Sequence, residues 1–224
     1  MGIRKEVLDA NRWIVKKGLV ELTWGNVSGL VDNKIVIKPS GINLDAATPA
    51  DMSVLAERMQ HLTGGRPSVD TPTHVEIYNL FPKVKAIVHT HSKYSTIFAQ
   101  ANKPIPCLGT THADYFYGEI PCVEHPSEKQ IIQAYEENTG KIIGEYFHKN
   151  GINYLHVPGC LVRNHGVFTW GETIERALEA AYVLELIAEM AYKTLLLNPN
   201  ASMQDYVLEK HYSRKNGSEK YYGQ

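Results

Sequence analysis

Over residues 173–197 apolar side chains recur at Ile174, Leu178, Ala181, Leu184, Ile187 and Ala188, a spacing that gathers them on one face of a long helix. That face must be buried against another element. The apolar segments available elsewhere are short. Val84-Lys85-Ala86-Ile87-Val88 and Cys160-Leu161-Val162 have the length of strands. Amphipathic helices interleaved with short strands predict an α/β domain whose helices cover a sheet. Ile3, Val7, Leu8, Ile14 and Val15 predict a first helix over 3–17, closed by Gly18. Strands are expected over 23–28, 34–38 and 53–57, with a short helix opened by Thr48 and Pro49. Further helices are expected from Thr71 to the Phe81-Pro82 stop, over 95–101, from a Ser127/Gln130 capping box to about Lys149, and over 202–215. No repeat, low-complexity stretch or linker interrupts the 224 residues, so one domain over 1–224 is expected. The pattern leaves the strand order open.

Composition narrows the partners. The net charge is −1, the pI is about 6.8 and no long Lys/Arg block occurs, which argues against nucleic acid or an anionic membrane as partner. The three cysteines, Cys107, Cys122 and Cys160, lack CxxC spacing and read as reduced, packed thiols of a cytosolic protein. The N-terminus turns amphipathic at once, without an apolar signal core, and no stretch approaches the ~18 consecutive apolar residues of a membrane helix. A soluble, cytoplasmic protein is expected.

The chemistry begins at His89-Thr90-His91, where the run from Val84 ends. On a strand, residues i and i+2 project to the same side, so both imidazoles converge. His165, just after the second short run, is a third candidate. Three histidines with an open position describe a catalytic metal site, whereas a histidine pair at a strand end can also simply cap the sheet through loop carbonyls. Asp70, before the helix at Thr71, either complements that helix's dipole or completes the histidine site. Lys38-Pro39-Ser40-Gly41 offers a cation, a hydroxyl and turn N–H groups suited to a phosphate dianion, and Trp24-Gly25-Asn26 could add donors; most such turns bind only water. The segment from Thr110 through Asp114 to Gly118 is polar and aromatic without helical or strand patterning, either a surface turn or a place for a general acid/base such as Asp114. Tyr221-Tyr222 is either a frayed end or a docking element.

Together these segments resemble the L-ribulose-5-phosphate 4-epimerases of the class II aldolase/adducin superfamily over nearly the full length. The likeness rests on Leu22-Thr23-Trp24-Gly25-Asn26-Val27-Ser28, Val36-Ile37-Lys38-Pro39-Ser40-Gly41, Asp70-Thr71-Pro72-Thr73-His74 and Val88-His89-Thr90-His91-Ser92. More specific to the epimerase branch are Thr110-Thr111-His112-Ala113-Asp114-Tyr115 and the ending Tyr221-Tyr222-Gly223-Gln224. The resemblance implies a three-layer α/β/α domain around a mostly antiparallel sheet, assembled as a homotetramer with active sites between subunits. It implies Zn²⁺, or another divalent cation such as Mn²⁺ or Co²⁺, on His89, His91 and His165, with Asp70 as a fourth metal ligand. Asp114 and Tyr222 match its acid/base pair, Tyr222 coming from the adjacent chain. Gly25, Asn26, Lys38, Ser40, Gly41 and Ser68 match phosphate-binding positions, and Thr110, Glu136 and His211 match further site-lining positions.

Two positions depart from the family pattern. The run Ser68-Val69-Asp70 has Val69 where a second serine is usual. The missing hydroxyl removes a charge-assisted hydrogen bond worth about 1.5–3 kcal/mol if uncompensated, although the Val69 N–H can still donate to phosphate. Asn138 stands where a second acidic residue is usual. The implied reaction interconverts L-ribulose 5-phosphate and D-xylulose 5-phosphate by retro-aldol opening and re-closure of C3–C4. Such epimerases serve both arabinose and ascorbate/gulonate routes. The competing readings are a class II sugar-phosphate aldolase and a non-catalytic, adducin-like interaction module.

Overall fold

Alternation along the strands sorts the apolar side chains between two cores. In β2 (Lys34–Ile37), Ile35 and Ile37 enter one core and Val36 the other; in β5 (Ala86–Thr90), Ile87 joins the first and Ala86 and Val88 the second. Side chains of a strand alternate between faces, so the two cores lie on opposite sides of the sheet. The computed structural model describes residues 2–56, 59–218 and 220–221. The remaining strands are β1 (Asn26–Val31), β3 (Ser53–Leu55), β4 (His61–Thr63), β6 (Cys122–Val123), β7 (Gly159–Val162) and β8 (Gly166–Gly171). They form one eight-stranded sheet in the order β4-β3-β2-β1-β5-β8-β7-β6. Only the β6–β7 pair is parallel, so the sheet is mostly antiparallel as expected.

Helices cover both faces. The helix α1 (Ile3–Lys16) buries Val7, Leu8 and Ile14 in the core of Val36 and Val88. On the other side, α2 (Thr71–Leu80) and α5 (Glu128–Lys149) contribute Ile77, Ile143 and Phe147, with Phe98 of α3 (Lys93–Gln100). The long apolar face of α6 (Ile174–Leu197) serves both cores, Ile174, Ala177 and Ala181 in one and Val183, Leu184 and Ile187 in the other. A 3-10 turn (Pro49–Asp51), a one-turn α4 (Thr110–Ala113) and α7 (Asp205–Asn216) complete the described elements. Among the described residues no helix is long and apolar enough to cross a membrane.

The structure differs from the sequence pattern in instructive places. The strand β1 starts at Asn26, not at residue 23, because Gly25 turns the chain with φ +73°, and a Cβ there would meet the His89 carbonyl at 2.6 Å. The strand β8 is buried along its whole length and bounded by glycines, so no alternation announces it. The three residues of β4 are all exposed, and α4 is a single turn. The helix α5 carries a break at Ala134 (φ −165°, ψ 77°).

Candidate metal centre and active site

Strand register brings the site together. In β5, His89 pairs with Asn26 of β1 on one side and with Phe168 of β8 on the other. His165 occupies the turn of the β7–β8 hairpin, in which Val162 pairs with Gly166 and Asn164 takes φ +57°. Gly166 is required here by close approach: a Cβ would stand 2.6 Å from the Thr90 carbonyl, 3.3 Å from His91 and 3.5 Å from His89. Three imidazoles, two from the end of β5 and one from a hairpin turn, therefore meet, with ring centroids 4.8–5.1 Å apart.

Their nitrogens suit a divalent cation. The ligand-type atoms of His89, His91 and His165 lie within 4.8 Å of one another, and Nε2 of His89 and of His91 are 3.1 Å apart. Two nitrogens at about 2.0–2.1 Å from a tetrahedral ion stand about 3.3 Å apart, so the spacing fits. Nδ1–H of His89 donates to the Val167 carbonyl at 2.9 Å, which leaves Nε2 with its lone pair toward the cluster. The ring of His89 also stacks on Phe168 at 4.2 Å, fixing its plane. Burial keeps the set neutral: desolvation lowers His89, takes His91 down to about 4 and, with His89 and His91 as neighbours, takes His165 down to about 3. Neutral imidazole is the ligating form.

Asp70 lies outside the converging trio, at the N-cap of α2 in the same cavity. The Asn26 amide donates to its Oδ2 at 2.8 Å and to Ser68 Oγ at 3.0 Å. Burial pushes the Asp70 carboxyl up, but His89, His74, the Asn26 hydrogen bond and His165 together leave it below its ordinary value. The Asn26 amide hydrogens are thus both donated within the protein, and among the described residues Asn26 Oδ1, which is buried, has no hydrogen-bond partner. Asn26 ties Ser68 to Asp70 at the wall of the cavity.

One cavity of about 410 Å³ gathers most of the expected residues. The histidine trio and Asp70 line it together with Gly25, Asn26, Lys38, Ser40, Gly41, Ser68 and Val69. Lys38 is almost fully buried and donates to the Thr23 carbonyl at 3.0 Å. Its ammonium is lowered from the usual value by desolvation, with Asp70 acting in the opposite sense. Val69 projects into the opening, 57% exposed.

Other expected residues lie elsewhere in the chain. Asp114 lines a different cavity, of about 190 Å³, beside Trp170, Arg176 and Lys215. Arg214 of α7 grips its carboxylate through Nε (3.2 Å to Oδ1) and Nη2 (3.0 Å to Oδ2), and His211 Nδ1 stands 3.2 Å from Oδ1. Thr110 lines a third cavity with Leu108, Ile187 and Met190. Glu136 is half-buried on α5 just past the break, its carbonyl accepting from Thr73 Oγ1 at 2.6 Å. Tyr222 falls outside the described residues.

Sequence reasoning missed Tyr135, whose hydroxyl is 3.3 Å from His165 Nδ1, and Arg214. A basic residue in the last turn of a helix is ordinary, so nothing in the sequence singled out Arg214. It also missed His74, whose Nδ1 meets Ser28 Oγ at 2.7 Å and whose buried Nε2 has no hydrogen-bond partner among the described residues.

The chain belongs to the class II aldolase and adducin N-terminal domain family, whose model matches residues 5–192. Within it, the chain is 45% identical over 228 residues to the probable L-ribulose-5-phosphate 4-epimerase UlaF of Mycoplasma pneumoniae, covering 99% of this chain and 94% of that one. It is 43% identical over 226 residues to the L-ribulose-5-phosphate 4-epimerase UlaF of Salmonella paratyphi C, covering 99% and 98%. Among solved structures, an L-fuculose 1-phosphate aldolase superposes with a TM-score of 0.78 at 19% identity over 95% of each chain. YgbL of Klebsiella pneumoniae does so with 0.74 at 22% identity, over 93% of this chain and 96% of that one. At such identities the structures speak for the fold alone.

Proposed function

We propose that this chain is a metal-dependent epimerase interconverting L-ribulose 5-phosphate and D-xylulose 5-phosphate. One observation carries the reading: the three imidazoles and the Lys38–Gly41 turn open on a single cavity, in a chain 43–45% identical to epimerases over nearly its whole length. A site for a ketose phosphate needs both a place to polarise oxygen and a place to hold a dianion.

C4 of a 2-ketopentose bears no acidic hydrogen, so inversion by deprotonation there would be slow. Opening C3–C4 avoids that barrier. One of Asp114 and Tyr222 takes the C4 hydroxyl proton; the C3–C4 electron pair passes to the ketose fragment as the enediolate of dihydroxyacetone, and C4 becomes the aldehyde of glycolaldehyde phosphate. His89, His91 and His165, with Asp70 beside them, would hold a divalent cation such as Zn²⁺, which suits the donor set and would supply Lewis acidity to the ketose oxygens. Lys38, with the hydroxyls of Ser40 and Ser68, the N–H groups of Gly25, Gly41 and Val69 and the side chain of Asn26, keeps the phosphate in place while the aldehyde turns. Re-addition on its other face inverts C4, and the second member of the acid/base pair returns the proton.

Asp114 and the histidines line separate cavities of one chain. We therefore assign Asp114, steadied by Arg214 and His211, and Tyr222 to the centre of a neighbouring subunit in a cytoplasmic homotetramer, with Thr110 and Glu136 near the shared site. The test is incubation of zinc-loaded protein with L-ribulose 5-phosphate. D-Xylulose 5-phosphate should accumulate with little free dihydroxyacetone. Free fragments as main products would make the chain an aldolase, and a metal-loaded protein without turnover would make it an adducin-like module.

A further inference from the structure

The helix α5 does not run straight. Its path breaks at Ala134, and side chains take up the carbonyls on either side of the break. The Asn138 amide donates to the carbonyls of Gln130 (3.0 Å) and Ala134 (2.9 Å), and Thr139 Oγ1 to that of Tyr135 (2.9 Å). From α2, Thr73 Oγ1 donates to the Glu136 carbonyl at 2.6 Å. A break whose freed carbonyls are satisfied in this way is a fixed feature of the helix and not a frayed one. Next to it α5 is pressed onto α2: a Cβ at Gly140 would meet Glu76 at 2.6 Å and the Thr73 carbonyl at 2.7 Å.

The residue directly after the break is Tyr135. Its hydroxyl lies 3.3 Å from Nδ1 of His165, with the two rings 5.9 Å apart. We infer that Tyr135 is a positioning residue for His165, and that the Asn138-stapled break in α5 exists to hold its hydroxyl there. His89 has its orientation fixed by the Val167 carbonyl, but His165 stands in a hairpin turn, where a ligand needs an outside partner to hold its ring. With Nδ1–H donating to the phenol oxygen, Nε2 of His165 keeps its lone pair for a cation. A phenol performs this task without adding the negative charge that a carboxylate partner would. Asn138 supplies the N–H donors that the break requires and that a carboxylate lacks.

The inference rests on the metal reading of the histidine trio, and the experiment separates the two. Zinc affinity is measured by competition with a chromogenic chelator for the full chain and for Tyr135→Phe and Asn138→Ala, together with the visible spectrum of each Co²⁺-loaded protein and the melting temperature of each metal-free protein. Tyr135→Phe should bind zinc about 10–100-fold more weakly, with an altered Co²⁺ spectrum and an unchanged metal-free melting temperature. Asn138→Ala, which keeps the hydroxyl but releases the break, should weaken zinc binding in the same direction. Wild-type affinity and spectrum in Tyr135→Phe would overturn the inference while leaving the metal site standing. A weakened affinity matched by an equal loss of metal-free stability would reduce Tyr135 to a packing role and overturn it too. Failure of the unaltered protein to take up metal would overturn the metal reading and this inference with it.

Discussion

Burial holds several imidazoles of this protein neutral. Desolvation takes His74 down to about 3, despite the opposing pull of Asp70, and His112 down to about 4, despite its hydrogen bond to the Gly118 carbonyl. In the unfolded chain both return to about 6.5. Between those values the unfolded state binds more protons than the folded one, so stability is fully present above about pH 6.5 and is lost as pH falls toward the folded values. Each histidine costs about 1.4 kcal/mol per pH unit in that window. Denaturant midpoints of the metal-free protein should therefore hold level from pH 8 to 7 and fall steadily from 6 to 5. Level midpoints down to pH 5 would mean that these imidazoles are not buried as described.

At the scale of elements, the metal centre depends on how closely β5 and β8 approach. Gly166→Ala places a methyl against the Thr90 carbonyl and the imidazoles of His91 and His89. It should lower stability by about 1–3 kcal/mol and weaken zinc binding. Gly109→Ala, in extended backbone with nothing within 4 Å of the added atom, should change neither. Denaturation and zinc titration of both variants check the contrast, and equal behaviour of the two would contradict it. Much of this architecture was legible in the sequence, because α1 and α6 carry a regular apolar face, the Ser127/Gln130 capping box forms where its spacing placed it, and Thr48 and Pro49 open a helical turn as expected. What stayed hidden has physical causes. A strand buried on both faces, such as β8, shows no alternation, and β4, exposed throughout, shows no apolar signal. At the break in α5 the Glu136 carbonyl is satisfied by Thr73 from another helix, a partner invisible in local sequence. Within the site, the His89/His91 pair followed from strand periodicity, whereas the commitment of Asn26 to Ser68 and Asp70 emerged only from the fold.

At the scale of the whole molecule, separate cavities hold the two halves of the proposed chemistry. The histidine trio faces one and Asp114 another. If neighbouring subunits complete each other's sites, Tyr222→Phe and His89→Asn should each lose most turnover, yet dissociated and reassembled together they should recover partial activity. A reassembled mixture no more active than its components would confine each site to one chain. Inversion of C4 by breaking and remaking C3–C4 requires that the zinc-loaded protein join dihydroxyacetone to glycolaldehyde phosphate, which NMR of the products would follow. L-Ribulose 5-phosphate and D-xylulose 5-phosphate should both form. Epimerisation of the intact sugar phosphate by a protein that never joins the two fragments would contradict that route.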